Sequence, residues 1–283
     1  MLMPANFSDA CTPCHNGARQ PFAEQLAPSR HGITPYRELK HPGASCQVNC
    51  HSGWGAMNIY APRPRYKDGK KTTVYTDPAQ SLMCSVCHEP HDAVDNPAQL
   101  RMTMNATSTA DSTTHLCGKC HSRGARPTTW TSTRGAHSAQ FAVLMGTAGW
   151  RPASFGNFTG PARHGTMEGT CAVCHMSTAE LTTPAGAFAV QNTGHTFTVL
   201  PCLSATALAT GGVDTSAACT AANESFAACA ASNCHGSEES ARHAMELLQT
   251  EITNYINVLW TDNQTLGTVG SLDTFDLGWL PKI

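Results

Sequence analysis

Charge is scarce in this sequence. Lys, Arg, Asp and Glu make up 13% of the 283 residues and nearly cancel, leaving −2 with His neutral. That excludes a basic face for nucleic acid and an acidic tail. Aromatic residues are few, at 7%. No long apolar run occurs: stretches such as 141–145 fall far short of the about 20 residues that a membrane-spanning helix needs. Residues 1–7 are too few and too polar for an export signal, so the numbering reads as starting at a mature or trimmed end, or with the signal omitted. Helical periodicity is missing from most of the chain, whereas Thr, Ala, Gly and Pro abound. Such a composition gives a loop-rich fold with a thin hydrophobic core, and folds of that kind need disulfides, metals or cofactors as staples.

What the chain has is sulfur and imidazole: 14 Cys and 14 His. Four clusters read C-x-x-C-H, at Cys11, Cys14 and His15; Cys84, Cys87 and His88; Cys117, Cys120 and His121; and Cys171, Cys174 and His175. This is the pattern of c-type haem attachment. Two thiols at that spacing can add to the two vinyl groups along one haem edge. The His that follows then lies under the porphyrin, where imidazole is a standard axial ligand. Two further clusters keep the ending with a longer gap: Cys46, Cys50 and His51, and Cys229, Cys234 and His235. Extra residues can bulge outward while both thiols still reach the haem. Zinc knuckles and disulfide frameworks also use paired Cys, but neither requires a His after the second Cys all six times. The reading is therefore six covalent haem c groups.

Cys202 and Cys219 remain, and an even remainder suggests a disulfide closing a Thr/Ala/Gly-rich loop. The alternatives are free thiols, or Cys219 replacing Cys229 as the partner of Cys234 across a much longer loop, which closes at greater entropic cost.

Six His serve as proximal ligands, so eight are left for six sixth positions. The supply covers bis-His ligation throughout. A saturated iron cannot take substrate without losing a ligand, so saturation points to electron transfer. Local context selects His31, His41, His91, His137, His164 and His195 as distal ligands. Pro90 stiffens the turn before His91, which lies too close to His88 to serve the same iron and must reach a neighbouring haem. His115 would make a strained approach to its own haem, and His243 falls on a helix where a surface role suffices. Met83, Met145 and Met176 lie near motifs but read as packing residues.

The motifs follow no fixed period, so the chain is not a solenoid. Pro/Gly-rich connectors such as 61–64 and 156–161 separate them, an Asp-Gly turn at 68–69 suggests a hairpin within 60–77, and 141–145 suggests a short helix or a segment that simply faces haem. The strongest helix spans 238–260, with Ser237 as N-cap, Glu238 and Glu239 at its positive end, and Ala244, Leu247, Leu248, Ile252, Tyr255, Ile256 and Leu259 at helical spacing. The expected organisation is a six-haem domain over 1–236 and a C-terminal helix and tail over 237–283 that packs on it or on a neighbouring subunit. The fold expected is mostly irregular, with few short helices, one C-terminal helix, and the haems as core.

With these clusters, and with the Cys-His-Glu-Pro-His run at 87–91, the chain resembles multihaem c-type cytochromes with bis-His haems, over residues 11–235. Within that class it is similar to the extracellular cytochrome filaments, loop-rich chains that stack haems along their length and polymerise. The resemblance implies an electron carrier, not an enzyme, secreted to the extracellular space or cell surface, with the periplasm as second choice. It implies redox donor and acceptor proteins or an extracellular acceptor as partners, and a homopolymer through end-to-end haem contact. The rival reading is a multihaem reductase of nitrite, hydroxylamine or a sulfur compound with one open iron. Such enzymes often carry an unusual proximal ligand, and no cluster here ends in Lys.

Overall fold

The structure is a computed structural model. It describes residues 11, 13–17, 19–33, 50–51, 53, 56, 81–89, 97–122, 138–148, 163–183, 185–204, 219–230 and 234–266, with side chains as far as 257. The chain divides into two compact units, Met1–Ala228 and Cys229–Ile283. The sixth motif falls within the second of these units. Covalent and backbone ties explain the position. Cys202 is disulfide-bonded to Cys219 and bridges Glu224, which fastens the chain to the first unit up to that point.

Regular structure in the first unit is short. Helices α1 (Phe22–Leu26) and α2 (Arg30–Ile33) follow the first motif. Helix α3 (Cys84–Cys87) is the third motif itself. Helix α4 (Gln140–Leu144) occupies the stretch expected near 141–145, and α5 (Cys171–His175) is the fifth motif. Strands β1 (Ala179–Thr182) and β2 (Phe188–Asn192) form an antiparallel hairpin with Leu181 opposite Val190, both buried. The hairpin expected within 60–77 lies outside the described residues.

A lone two-stranded ribbon is marginal in water, and the N-terminal segment supplies its cover. The Arg19 guanidinium lies 3.9 Å from the Phe188 ring centre and bonds Glu180 at 2.8 Å. Gln25, fully buried on α1, donates through Nε2 to the Gln191 carbonyl at 2.7 Å. Its Oε1 accepts the backbone N–H and the hydroxyl of Thr193 at 2.9 and 2.8 Å.

The apolar core is thin. Ala56, Val86 and Leu116 are buried together, flanked by Leu82, Met83, Leu100, Met102, Met104, Cys87 and Cys120. This cluster sits between the third and fourth motifs. Residues 100–103 join them, Leu100 bridging His88 and Thr103 bridging His115.

Helix α6 (Ala227–Ala230) begins two residues before the second unit and carries Cys229, the first residue of the sixth motif, and α7 (Glu238–Leu266) lies wholly in the second unit. Ser237 caps α7: its hydroxyl oxygen accepts the Ser240 N–H at 3.0 Å. The helix runs past the expected end at 260 because the residues after Trp260 are polar but contain no breaker before Gly267. Leu247, Leu248, Ile252, Tyr255 and Ile256 are exposed along it. Among the described residues no helix is long and apolar enough to cross a membrane.

Candidate haem-binding site

The third and fifth motifs are single helical turns, and a turn of this kind arranges the chemistry of a motif. Cys residues three apart fall on one side of a helix. The His N–H closes the turn onto the carbonyl of the first Cys: His15 to Cys11 at 2.9 Å, His88 to Cys84 at 2.9 Å and His121 to Cys117 at 3.0 Å. The longest cluster keeps the same closure, with the His235 N–H on the Cys229 carbonyl at 3.1 Å despite two extra residues. Cys219 is held by Cys202, with Cα atoms 5.9 Å apart, so the thiols next to His235 are those of Cys229 and Cys234.

The thiols themselves are close-set. Cys11 and Cys84 share a hydrogen bond, as do Cys117 and Cys171. Burial pushes the Cys84 and Cys87 thiols up to about 11, and it holds both as neutral S–H groups. Cys171 moves the other way, to about 7, because the Cys117 thiol donates to it. The third motif is braced from below. Arg101 donates from Nε to the Ser85 carbonyl at 2.7 Å, and its N–H meets the Cys87 carbonyl at 2.8 Å. The Arg101 guanidinium also pairs with Glu89, and both side chains are largely buried.

The imidazoles gather in two groups. In the first, the ring centres of His88 and His195 stand 6.2 Å apart with planes 18° from parallel. Phe22 packs edge-on against both His195 and His15, at 4.9 and 5.5 Å. In the second, the ring centres of His31 and His121 stand 6.0 Å apart with planes at 83°. His175 and His51 are near enough to act on His31 electrostatically. Phe197 joins the groups: its ring lies 4.3 Å from His31 and 6.4 Å from His195, and its carbonyl accepts from His175 Nδ1 at 3.0 Å.

The chemistry of this donor set fits haem. Desolvation lowers His31 and His195 to about 4, with neighbouring imidazoles adding to the effect, so both rings are neutral near pH 7. Neutral imidazole is the metal-binding form. Nδ1 of His88 donates to the Ala98 carbonyl at 2.8 Å, and Nδ1 of His195 to the Thr193 carbonyl at 3.1 Å. Such bonds orient the ring and leave Nε2 for a metal. Nδ1 of His31 is buried without a hydrogen-bond partner. Once haem is bound, its iron supplies one-electron exchange.

His115 has the opposite character. It is fully buried, its Nδ1 accepts the Gly118 N–H at 3.0 Å, and its Nε2 donates to the Met104 carbonyl at 2.8 Å. Both nitrogens are used, so it is a structural residue. His164 sits exposed on the 3₁₀ turn Arg163–Thr166, and His243 is exposed on α7. Cys46, His41, His91 and His137 lie outside the described residues. The roles of Gln25 and Phe197 escaped the sequence because their partners are far along the chain.

Comparison with known proteins agrees with this chemistry over part of the chain. Residues 77–126, which hold the third and fourth motifs, match the doubled CXXCH motif family. No curated protein and no solved structure matches the chain. The match supports a multihaem c-type cytochrome that binds haem c covalently and carries electrons.

Proposed function

We propose that the chain is an electron conduit of six covalent haem c groups, each iron held by two imidazoles. The carrying observation is that His31 and His195, both half-buried, place their ring centres 6.0 and 6.2 Å from those of the motif imidazoles His121 and His88, close to the span of two imidazoles bound to one iron. Saturated irons pass electrons and leave no coordination site for substrate. Covalent attachment suits a protein working outside the cytoplasm, at the cell surface or in the extracellular space. There it would link redox donor proteins to an external acceptor. The exposed apolar side chains along α7 are consistent with a chain that polymerises, so that haem contact continues from one subunit to the next.

Intact mass of the purified protein tests the haem count, with six haems per chain expected. Optical and EPR spectra should then show only low-spin, six-coordinate iron. A substantial high-spin fraction, or turnover of nitrite, hydroxylamine or a sulfur compound with a reduced dye, would refute the conduit. Negative-stain imaging addresses the polymer, and a monodisperse monomer at high concentration would exclude it.

A further inference from the structure

The imidazole geometry says which rings share an iron. Two imidazoles on opposite faces of one haem each reach the iron through a nitrogen at about 2 Å, so their ring centres stand roughly 6 Å apart. Both rings contain the N–Fe–N axis, but they are free to twist about it. Two described pairs meet this span, and each joins one motif His to one other His: His88 with His195 at 6.2 Å, and His121 with His31 at 6.0 Å. In the first pair both Nδ1 atoms are tied to backbone carbonyls, which leaves both Nε2 atoms for metal. In the second, His121 is held by the Gln140 side chain, and His31 has a buried ring nitrogen without a partner. His15, the other motif imidazole near His195, meets it only through edge contacts that both rings make with Phe22, at 5.5 and 4.9 Å.

We propose that His195 is the sixth ligand of the haem at Cys84 and Cys87, and His31 the sixth ligand of the haem at Cys117 and Cys120. The assignment rests on the bis-imidazole reading above and deepens it. It threads the chain across itself, because a residue beyond the fifth motif completes the third haem and a residue after the first motif completes the fourth. It also makes these two haems neighbours, since Phe197 touches both distal rings.

The two pairs carry different spectroscopic signatures. Near-parallel imidazole planes give a rhombic low-spin ferric signal, and near-perpendicular planes give a single large-g feature. The observed twists, 18° and 83°, place His88/His195 in the first class and His121/His31 in the second.

The test is EPR and near-infrared magnetic circular dichroism of the full-length haem-loaded protein and of H195M and H31M, with haem per chain quantified. H195M should lose one haem's intensity of the rhombic signal and gain one thioether-ligated haem. H31M should do the same at the expense of the large-g signal. Either variant keeping both signals at wild-type intensity, or both variants removing the same signal, overturns the assignment. Should a variant not accumulate, the wild-type spectrum decides, because absence of either signal class overturns the pairing. A wild type without thioether-bound haem overturns the functional reading as well; a loaded, low-spin wild type whose variants keep both signals, or both lose the same one, overturns the pairing alone.

Discussion

The ring centres of His88 and His195 stand 6.2 Å apart, with planes 18° from parallel, although 107 positions separate them in sequence. His88 is placed locally, by the turn of its own motif. His195 is placed by a relay: its Nδ1 bonds Thr193, and Thr193 is gripped by Gln25 on α1. The first segment of the chain therefore sets the geometry of the third haem site.

Gln25 is accordingly a positioning residue. Replacing it with Ala strands the buried Thr193 N–H and Gln191 carbonyl, each at about 1–3 kcal/mol for a lost partner. Thermal unfolding of Gln25→Ala should show a loss on the order of 3 kcal/mol, with one haem gaining high-spin character. An unchanged Tm with an unchanged spectrum would contradict the relay.

Gly194 controls the same segment from the other side. Its φ is +79°, and a Cβ there would meet the Met176 backbone at 2.5 Å. Phe197 follows in the left-handed region at φ +57°, a conformation that costs a bulky residue about 1–3 kcal/mol. Gly194→Ala should therefore destabilise by roughly 2 kcal/mol or more, and it should disturb both His195 and His31. Phe197→Gly should relieve backbone strain yet remove the aromatic contact with both rings. The check is whether stability holds while two low-spin signals broaden.

How much of this was legible in the sequence depends on range. The attachment turns, the Ser237 cap and the short helix near Phe141 rest on neighbours within a few residues, and each could be read directly. The hairpin at β1 and β2 could not, because its cover comes from Arg19 and Gln25. The choice among the non-motif His is also a long-range matter. His31 and His115 look alike as residue types, yet one presents an unpartnered buried nitrogen and the other has both nitrogens bonded.

Arg101 and Glu89 form a mostly buried ion pair beneath the third motif. Removing one partner leaves a buried charge unpaired, which typically costs about 3–5 kcal/mol. Arg101→Ala should fall in that range by thermal or denaturant unfolding, and it should also free the Ser85 carbonyl. The paired exchange of Arg101 to Met with Glu89 to Gln should recover part of the loss. A double variant no more stable than Arg101→Ala would count against the pair as the cause.

His115 offers the sharpest separation between a structural imidazole and a ligand. His115→Phe leaves the Gly118 N–H without its acceptor, at about 1–3 kcal/mol, while the Met104 carbonyl keeps the Thr170 hydroxyl at 2.9 Å. The haem count and the low-spin spectrum should stay as in the wild type, unlike those of H31M. The residue should also make stability depend on pH. Burial lowers the pKa of His115 in the folded chain below its unfolded value of about 6.5. The unfolded state then binds the extra proton first, so stability rises with pH through that window. The His115 contribution is fully present above the unfolded pKa and is lost as pH falls through the folded one. Unfolding free energies of wild type and His115→Phe, measured from pH 7.5 down to about 5, should converge on acidification. Parallel curves would mean that His115 titrates alike in both states.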